Sequence, residues 1–133
     1  MDQFSGYKHT ALLKSKDGAS KEIILFVDCM ENQLNKKVKV FNTDGGGEFL
    51  NDDIRLFCES KGIIHKVAPA YTPQLNGIAE RANRTVLEKM RCLLLQSNLS
   101  AGMWGEALSY ATTLSNLTPT KSNSQFVSPS EIV

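Results

Sequence analysis

The sequence is poor in the features that mark several large protein classes. It has three cysteines, Cys29, Cys58 and Cys92, widely separated and without a Cys-x-x-Cys pair. An odd, scattered set reads as reduced thiols and excludes a disulfide framework. With two histidines to join them, His9 and His65, a Cys/His zinc cluster is excluded as well. No apolar run approaches the ~18 residues of a membrane-spanning helix, and the opening stretch MDQFSGYKHT has no hydrophobic signal region. A nuclear or cytoplasmic protein without membrane contact is therefore expected. Bulk charge is lacking too: 15 Lys and Arg against 14 Asp and Glu leave +1, so any nucleic-acid footprint must be local. Repeats, low-complexity tracts and linkers are absent.

What remains is an ordinary globular chain of 133 residues, 41% hydrophobic and 22% charged, long enough to bury a core of its own. The reading is one domain over residues 1–119, followed by a Ser-rich, loosely packed tail over 120–133. Residues 7–16 mix aromatic, β-branched and apolar side chains before the turn pair Asp17-Gly18, and read as a strand ending near Lys14. Ile23, Val27, Met30 and Leu34 recur at helical spacing, which predicts a helix over 20–34 with Ser20 as its N-cap and Lys36-Lys37 at its C-terminal end. Residues 38–41 form a short strand, stopped by Asn42-Thr43-Asp44 and three glycines. A second helix carries Phe49, Ile54, Phe57 and Cys58 and ends at Gly62, and residues 63–67 give another strand.

Residues 68–77 have two prolines and an Asn-Gly pair, and read as a loop. A long helix is predicted over 78–95, its buried stripe made by Ile78, Ala82, Val86, Met90 and Leu93 or Leu94. A last helix runs from about Met103 to Leu117, with Trp104 in the core or in a subunit contact. Strand–helix alternation favours an α/β fold with helices packed on a sheet, although three strands are few for a complete sheet domain.

Two carboxylates stand at structural transitions. Asp44 follows a strand end, where rigid support projects a side chain into a site. Glu80 is expected in the first turn of the long helix. Brought together, they make an oxygen-rich pocket suited to Mg2+ or Mn2+, and the glycines after Asp44 let a phosphate backbone approach closely. By themselves the same residues also fit a solvent-facing turn Asp and a Glu near a helix N-terminus.

The stretch Asn42-Thr43-Asp44-Gly45-Gly46-Gly47-Glu48-Phe49 resembles the copia-type retrotransposon integrase segment around its second catalytic aspartate. Residues 71–85, YTPQLNGIAERANRT, resemble the segment that carries its catalytic glutamate, Glu80 here. Thirty-five residues lie between Asp44 and Glu80, the gap that gives this integrase class its usual name. Met103-Trp104-Gly105-Glu106-Ala107, then Asn116, Pro119 and Ser128-Pro129-Ser130-Glu131, are similar to the region beyond that helix. The resemblance covers nearly the whole chain. It implies a ribonuclease H-like fold, a mixed sheet flanked by helices, with Asp44 and Glu80 as catalytic and metal-binding residues. It also implies Mg2+ or Mn2+ as cofactor, retroelement cDNA ends and target DNA as partners, and a homo-oligomer as a further assembly. The reaction it implies is 3′-end trimming followed by strand transfer.

The family's catalytic set has three acids, and two are found. The first belongs on an opening strand that this chain is expected to lack; Asp2 matches a non-catalytic position. Asp28 follows an apolar run, but its neighbours fit a helix, and Asp17 reads as a turn residue. Weak metal binding and an inactive isolated chain are the expectations. For DNA contact the candidates are Arg84, one turn beyond Glu80, with Arg81, and the residues Tyr71, Gln74 and Asn76 ahead of the helix. An ion pair of Arg84 with Glu88 and a capping role for Asn76 stand beside these readings. His65 and Lys39 read as structural and solvent-facing. A non-catalytic nucleic-acid-binding or interaction protein derived from an integrase is the second reading of function; another ribonuclease H-like nuclease is disfavoured by the 71–85 motif.

Overall fold

A computed structural model describes residues 1–69, 73–120 and 126–133, with the backbone alone for 73–76. In chain order the elements are α1 (Ala19–Leu34), β1 (Val40–Thr43), α2 (Asp52–Lys61), β2 (Ile64–Val67), α3 (Pro73–Ser97), α4 (Trp104–Leu117) and α5 (Pro129–Ile132), with single 3-10 turns ahead of α1 and α4. The fold is α/β. Two compact units are distinguished, Leu13–Gly77 and the combination of Met1–Leu12 with Ile78–Val133.

The first unit is a strand–helix–strand crossover with a helix before it. β1 and β2 are parallel, pairing Val40 with Ile64 and Thr43 with Val67, and the ladder runs on through Ile64 N–H to Lys39 O and Ala68 N–H to Thr43 O. Parallel strands need a long connection, here supplied by α2. Asn51 caps α2 by accepting from Ile54 N–H at 3.0 Å, and Gly62 ends it in the left-handed region at φ 68°, where a Cβ is costly. Ile54, Cys58 and Ile63 form the buried core, with Ile23, Ile24, Val38, Phe41 and Phe57 packed on it. Among the described residues the sheet has these two strands.

Ser20, expected as the N-cap of α1, lies inside the helix; Gly18 stands at the cap without a side-chain bond. The preceding 3-10 turn moves the start of the helix forward, and the Ser20 hydroxyl turns instead to Asn51 Nδ2 at 2.6 Å and Glu48 O at 3.2 Å. Asp28 is helical, as its neighbours suggest, and pairs with Lys61.

α3 opens at Pro73, within the last residues of the first unit, and continues in the second, so residues 73–77 are helix where a loop was expected. A fixed φ and a missing N–H suit proline to a first helical turn, and the Asn-Gly pair signals a turn only when strands flank it. Glu80 is consequently well inside α3, not in its first turn. Of the expected buried stripe, Val86 is 2% exposed but Ile78 is 42% exposed. Trp104, expected in the core or in a subunit contact, stands at the first turn of α4 and is 51% exposed, which removes the core alternative.

The strand expected near residues 7–14 does not form; the segment has no regular element. Its backbone polarity is met from a side chain. The Asn116 amide accepts from Lys8 N–H at 2.9 Å and donates to Lys8 O at 2.8 Å, as a neighbouring strand would. One turn earlier on α4, Thr112 Oγ1 and Thr10 Oγ1 lie 2.9 Å apart. Within residues 120–133, the stretch 121–125 lies outside the described residues. Ser128 and Pro129 are buried, and Ser128 with Glu131 closes a capping box on α5.

Candidate metal and nucleic-acid site

Asp44 is the residue immediately after β1, where the sequence places it. Backbone pairing holds the strand as far as Thr43, whose side chain is buried and bonded to His65 Nε2 at 2.9 Å. His65 also stacks on Phe41 with ring centroids 5.5 Å apart, which makes it the structural residue expected. Asp44 itself is exposed. Its Oδ1 accepts from Gly46 N–H at 3.2 Å, a local turn that orients the carboxylate and leaves the other oxygen without a protein donor among the described residues.

The three glycines differ in use. A Cβ at Gly45 or Gly47 would meet nothing within 4 Å, whereas one at Gly46 would lie 2.9 Å from Glu48 Oε2 and 3.1 Å from Asp44 Oδ1. Gly45 and Gly47 thus leave open backbone, and Gly46 is the point over which two carboxylates converge. Sequence reasoning misses Glu48. The only available signal is its place four residues after Asp44.

Glu80, Arg81, Arg84, Leu87 and Arg91 are all exposed along α3, while Val86 is buried and Met90, Leu93 and Leu94 are half-buried. The helix therefore turns the face carrying Glu80, Arg84 and Arg91 to solvent, as three- and four-residue spacing requires. Arg84 makes no ion pair with Glu88 among the described residues, and the Glu80 carboxylate has no protein partner there. Tyr71 lies outside the described residues, as do the side chains of Gln74 and Asn76; the backbone of Gln74 and Asn76 is in α3, which removes Asn76 from the cap position.

Asp44 belongs to the Leu13–Gly77 unit and Glu80, Arg81 and Arg84 to the other. Among the described residues no three His, Cys, Asp or Glu side chains gather as a metal site. In kind, Asp44 and Glu80 are hard oxygen donors of the sort Mg2+ and Mn2+ take. In number they fall short of a full protein shell. No helix among the described residues is long and apolar enough to cross a membrane.

No protein-family model matches the chain. Its sequence is 38% identical over 108 residues to the retrovirus-related Pol polyprotein from transposon TNT 1-94 of Nicotiana tabacum, covering 81% of this chain and 8% of that protein. It is 32% identical over 120 residues to the retrovirus-related Pol polyprotein from transposon RE2 of Arabidopsis thaliana, covering 90% of this chain and 8% of that protein. The chain thus spans 8% of the length of these curated relatives. The fold is similar to that of the HTLV-2 integrase catalytic core domain in complex with magnesium, in its trimeric form, with a TM-score of 0.72 and 26% identity, over 98% of this chain and 79% of that one. The catalytic core domain of BIV integrase is similar in fold, with a TM-score of 0.63 and 23% identity, over 96% of this chain and 78% of that one.

Proposed function

The chain is a homologue of copia-type retrotransposon Pol polyproteins with the fold of a retroviral integrase catalytic core, and on that premise we propose that Asp44 and Glu80 serve as divalent-metal ligands in DNA strand transfer. The observation that carries the reading is the setting of Asp44: directly beyond a hydrogen-bonded strand, solvent-facing, and followed by two glycines with open space around them. Glu80 and Arg84, one turn apart, exposed and without protein partners among the described residues, supply the second half. HTLV-2 integrase core binds magnesium, which is consistent with the donor types here.

Asp44 and Glu80 would hold the ion, which would supply charge stabilisation and activation of the nucleophile for phosphodiester chemistry. The chain's own groups do the positioning. Arg84 donates to a phosphate flanking the reacting bond, with Arg81 a weaker contact, and Tyr71, Gln74 and Asn76 are the further contacts that the sequence motif suggests. Gly45 and Gly47 let the sugar–phosphate backbone come close to Asp44. Retroelement cDNA ends and target DNA are the substrates of this reading, in the nucleus or on the way to it, with self-association as a further partner.

Two acids without a third hold the ion weakly, and the 133-residue chain alone is expected to bind DNA without joining it. Mn2+ titration followed by electron paramagnetic resonance tests the pair: Asp44→Asn and Glu80→Gln should each weaken binding, and a titration that neither variant changes refutes both ligand roles. Incubation with Mg2+ or Mn2+ and cDNA-end duplexes tests the activity. Strand transfer abolished by Asp44→Asn would overturn the expected inactivity and keep the pair. The second reading, nucleic-acid binding without chemistry, is favoured by the absence of a three-ligand group among the described residues. It predicts salt-sensitive DNA affinity that Asp44→Asn leaves unchanged.

A further inference from the structure

Two lysines of the second unit are anchored by neighbouring residues of α4, with no acidic partner among the described residues. Lys8 is placed by its backbone: Asn116 takes both its N–H and its C=O, at 2.9 and 2.8 Å. Lys89 is placed by its side chain, whose Nζ donates to Ser115 Oγ at 3.0 Å. Adjacent residues of α4 therefore fix both. Ser115 and Asn116 are 3% and 6% exposed, so the anchor is buried and defined, while the two lysines are half-buried and still reach solvent.

Each ammonium uses one of its three donors within the chain, Lys8 on Gly6 O at 3.0 Å and Lys89 on Ser115. Neither forms an ion pair among the described residues. The carboxylate nearest in sequence, Asp2, is engaged by Ser5 through its N–H at 2.7 Å and its hydroxyl at 2.6 Å. Burial first, and the Lys89 charge second, push the Lys8 amine below its ordinary value. Half-buried charges of one sign are costly unless an opposite charge joins them.

We propose that Lys8 and Lys89 form a binding site for a phosphate group, anchored by Ser115 and Asn116. The four donors left on the two ammoniums suit the oxygens of a phosphate. The site is separate from the face that carries Glu80. Lys89 follows Glu80 by nine residues, about two and a half helical turns, which puts the two on opposite sides of α3. The proposal does not depend on Asp44 or Glu80 holding a metal.

Inorganic phosphate titrated into the whole chain at constant ionic strength, followed by 1H–15N NMR, tests it. Saturable shifts are expected at Lys8, Lys89, Ser115 and Asn116. Lys8→Gln and Lys89→Gln should each weaken binding about tenfold, as loss of a charge-assisted contact does, and Lys89→Arg should keep it. Asp44→Asn and Glu80→Gln should leave it unchanged, which separates this site from the metal reading. A short single-stranded DNA without terminal phosphate forms a second arm. If it shifts the same residues, the phosphate is that of a nucleic-acid backbone; if inorganic phosphate alone does so, the ligand is a free phosphate. No saturable shift in either arm overturns the proposal. So does binding retained by the Lys8→Gln/Lys89→Gln double variant with unchanged circular dichroism.

Discussion

At Glu31 one buried carboxylate serves three donors: Lys61 Nζ at 2.7 Å, Val38 N–H at 2.8 Å and Lys37 Nζ at 3.2 Å. Lys61 first, then the Val38 amide, hold its pKa down to about 2 from 4.5. A lowered folded value means that the carboxylate stabilises the fold above the unfolded pKa. That contribution should fade as pH falls from about 4.5 to about 2. Urea midpoints measured across that window should fall in the wild type and be flatter in Glu31→Gln. At neutral pH the same variant should lose roughly 1–3 kcal/mol, the scale of a hydrogen bond to a charged group.

Asn116 offers a second residue-scale test. Asn116→Asp keeps the acceptor for Lys8 N–H and loses the donor to Lys8 O, whereas Asn116→Ala loses both. The Ala variant should be destabilised by about 2–3 kcal/mol, and its Lys8 amide should exchange faster with solvent than that of the Asp variant. Equal exchange rates would deny Asn116 the role of a substitute strand. Such pairings leave little trace in sequence. Asn116 can be noticed as part of a family resemblance, but nothing about a helical Asn announces that its amide meets a backbone 108 residues away. The position of Asp44 is legible because residues 38–41 have strand composition and three glycines directly after Asp44 mark where that strand must stop.

At the scale of elements, termini with a chemical signature are readable. Gly62 ends α2 as expected, and Asn51, which opens it, is bonded as a cap. Asn51→Ala should cost about 1 kcal/mol, more than a surface substitution, because its Nδ2 also ties Ser20 Oγ and Glu48 O. Gly62→Ala should cost a similar amount, about 1 kcal/mol, for a Cβ in the left-handed region. Both are measurable as shifts in chemical denaturation. Two helix starts depart from expectation for one shared reason. Periodicity locates the middle of a helix, while its start depends on local geometry, so α1 begins at Ala19 and α3 at Pro73, ahead of the first apolar residues of their stripes. The segment at 7–13 departs differently. Its strand-like composition is real, but a strand also needs a backbone partner, and the partner here is a side chain.

At the scale of the molecule, homology and fold agree on an integrase core, while the proposed metal ligands, Asp44 and Glu80, come one from each unit. The charge is nearly balanced, +1 over the chain, so the proposed DNA binding calls on local basic groups, the exposed Arg84 and Arg91 on one face of α3 among them, and not on a general field. Arg84→Gln should lower DNA affinity and flatten its dependence on salt by about one phosphate contact. Fluorescence anisotropy at several salt concentrations checks this; an unchanged slope assigns the contact elsewhere. Net charge gives no hint of that face, because exposure along a helix is a property of the fold and not of a count.

The clasp between Lys8 and Asn116 also has a consequence in time. During synthesis, residue 8 leaves the ribosome long before residue 116 is made, an interval of roughly 5–20 s at ordinary elongation rates. The strand–helix–strand unit lies between them and can fold in that interval. The opening segment must wait with its amides hydrated, and it becomes part of the structure when α4 emerges.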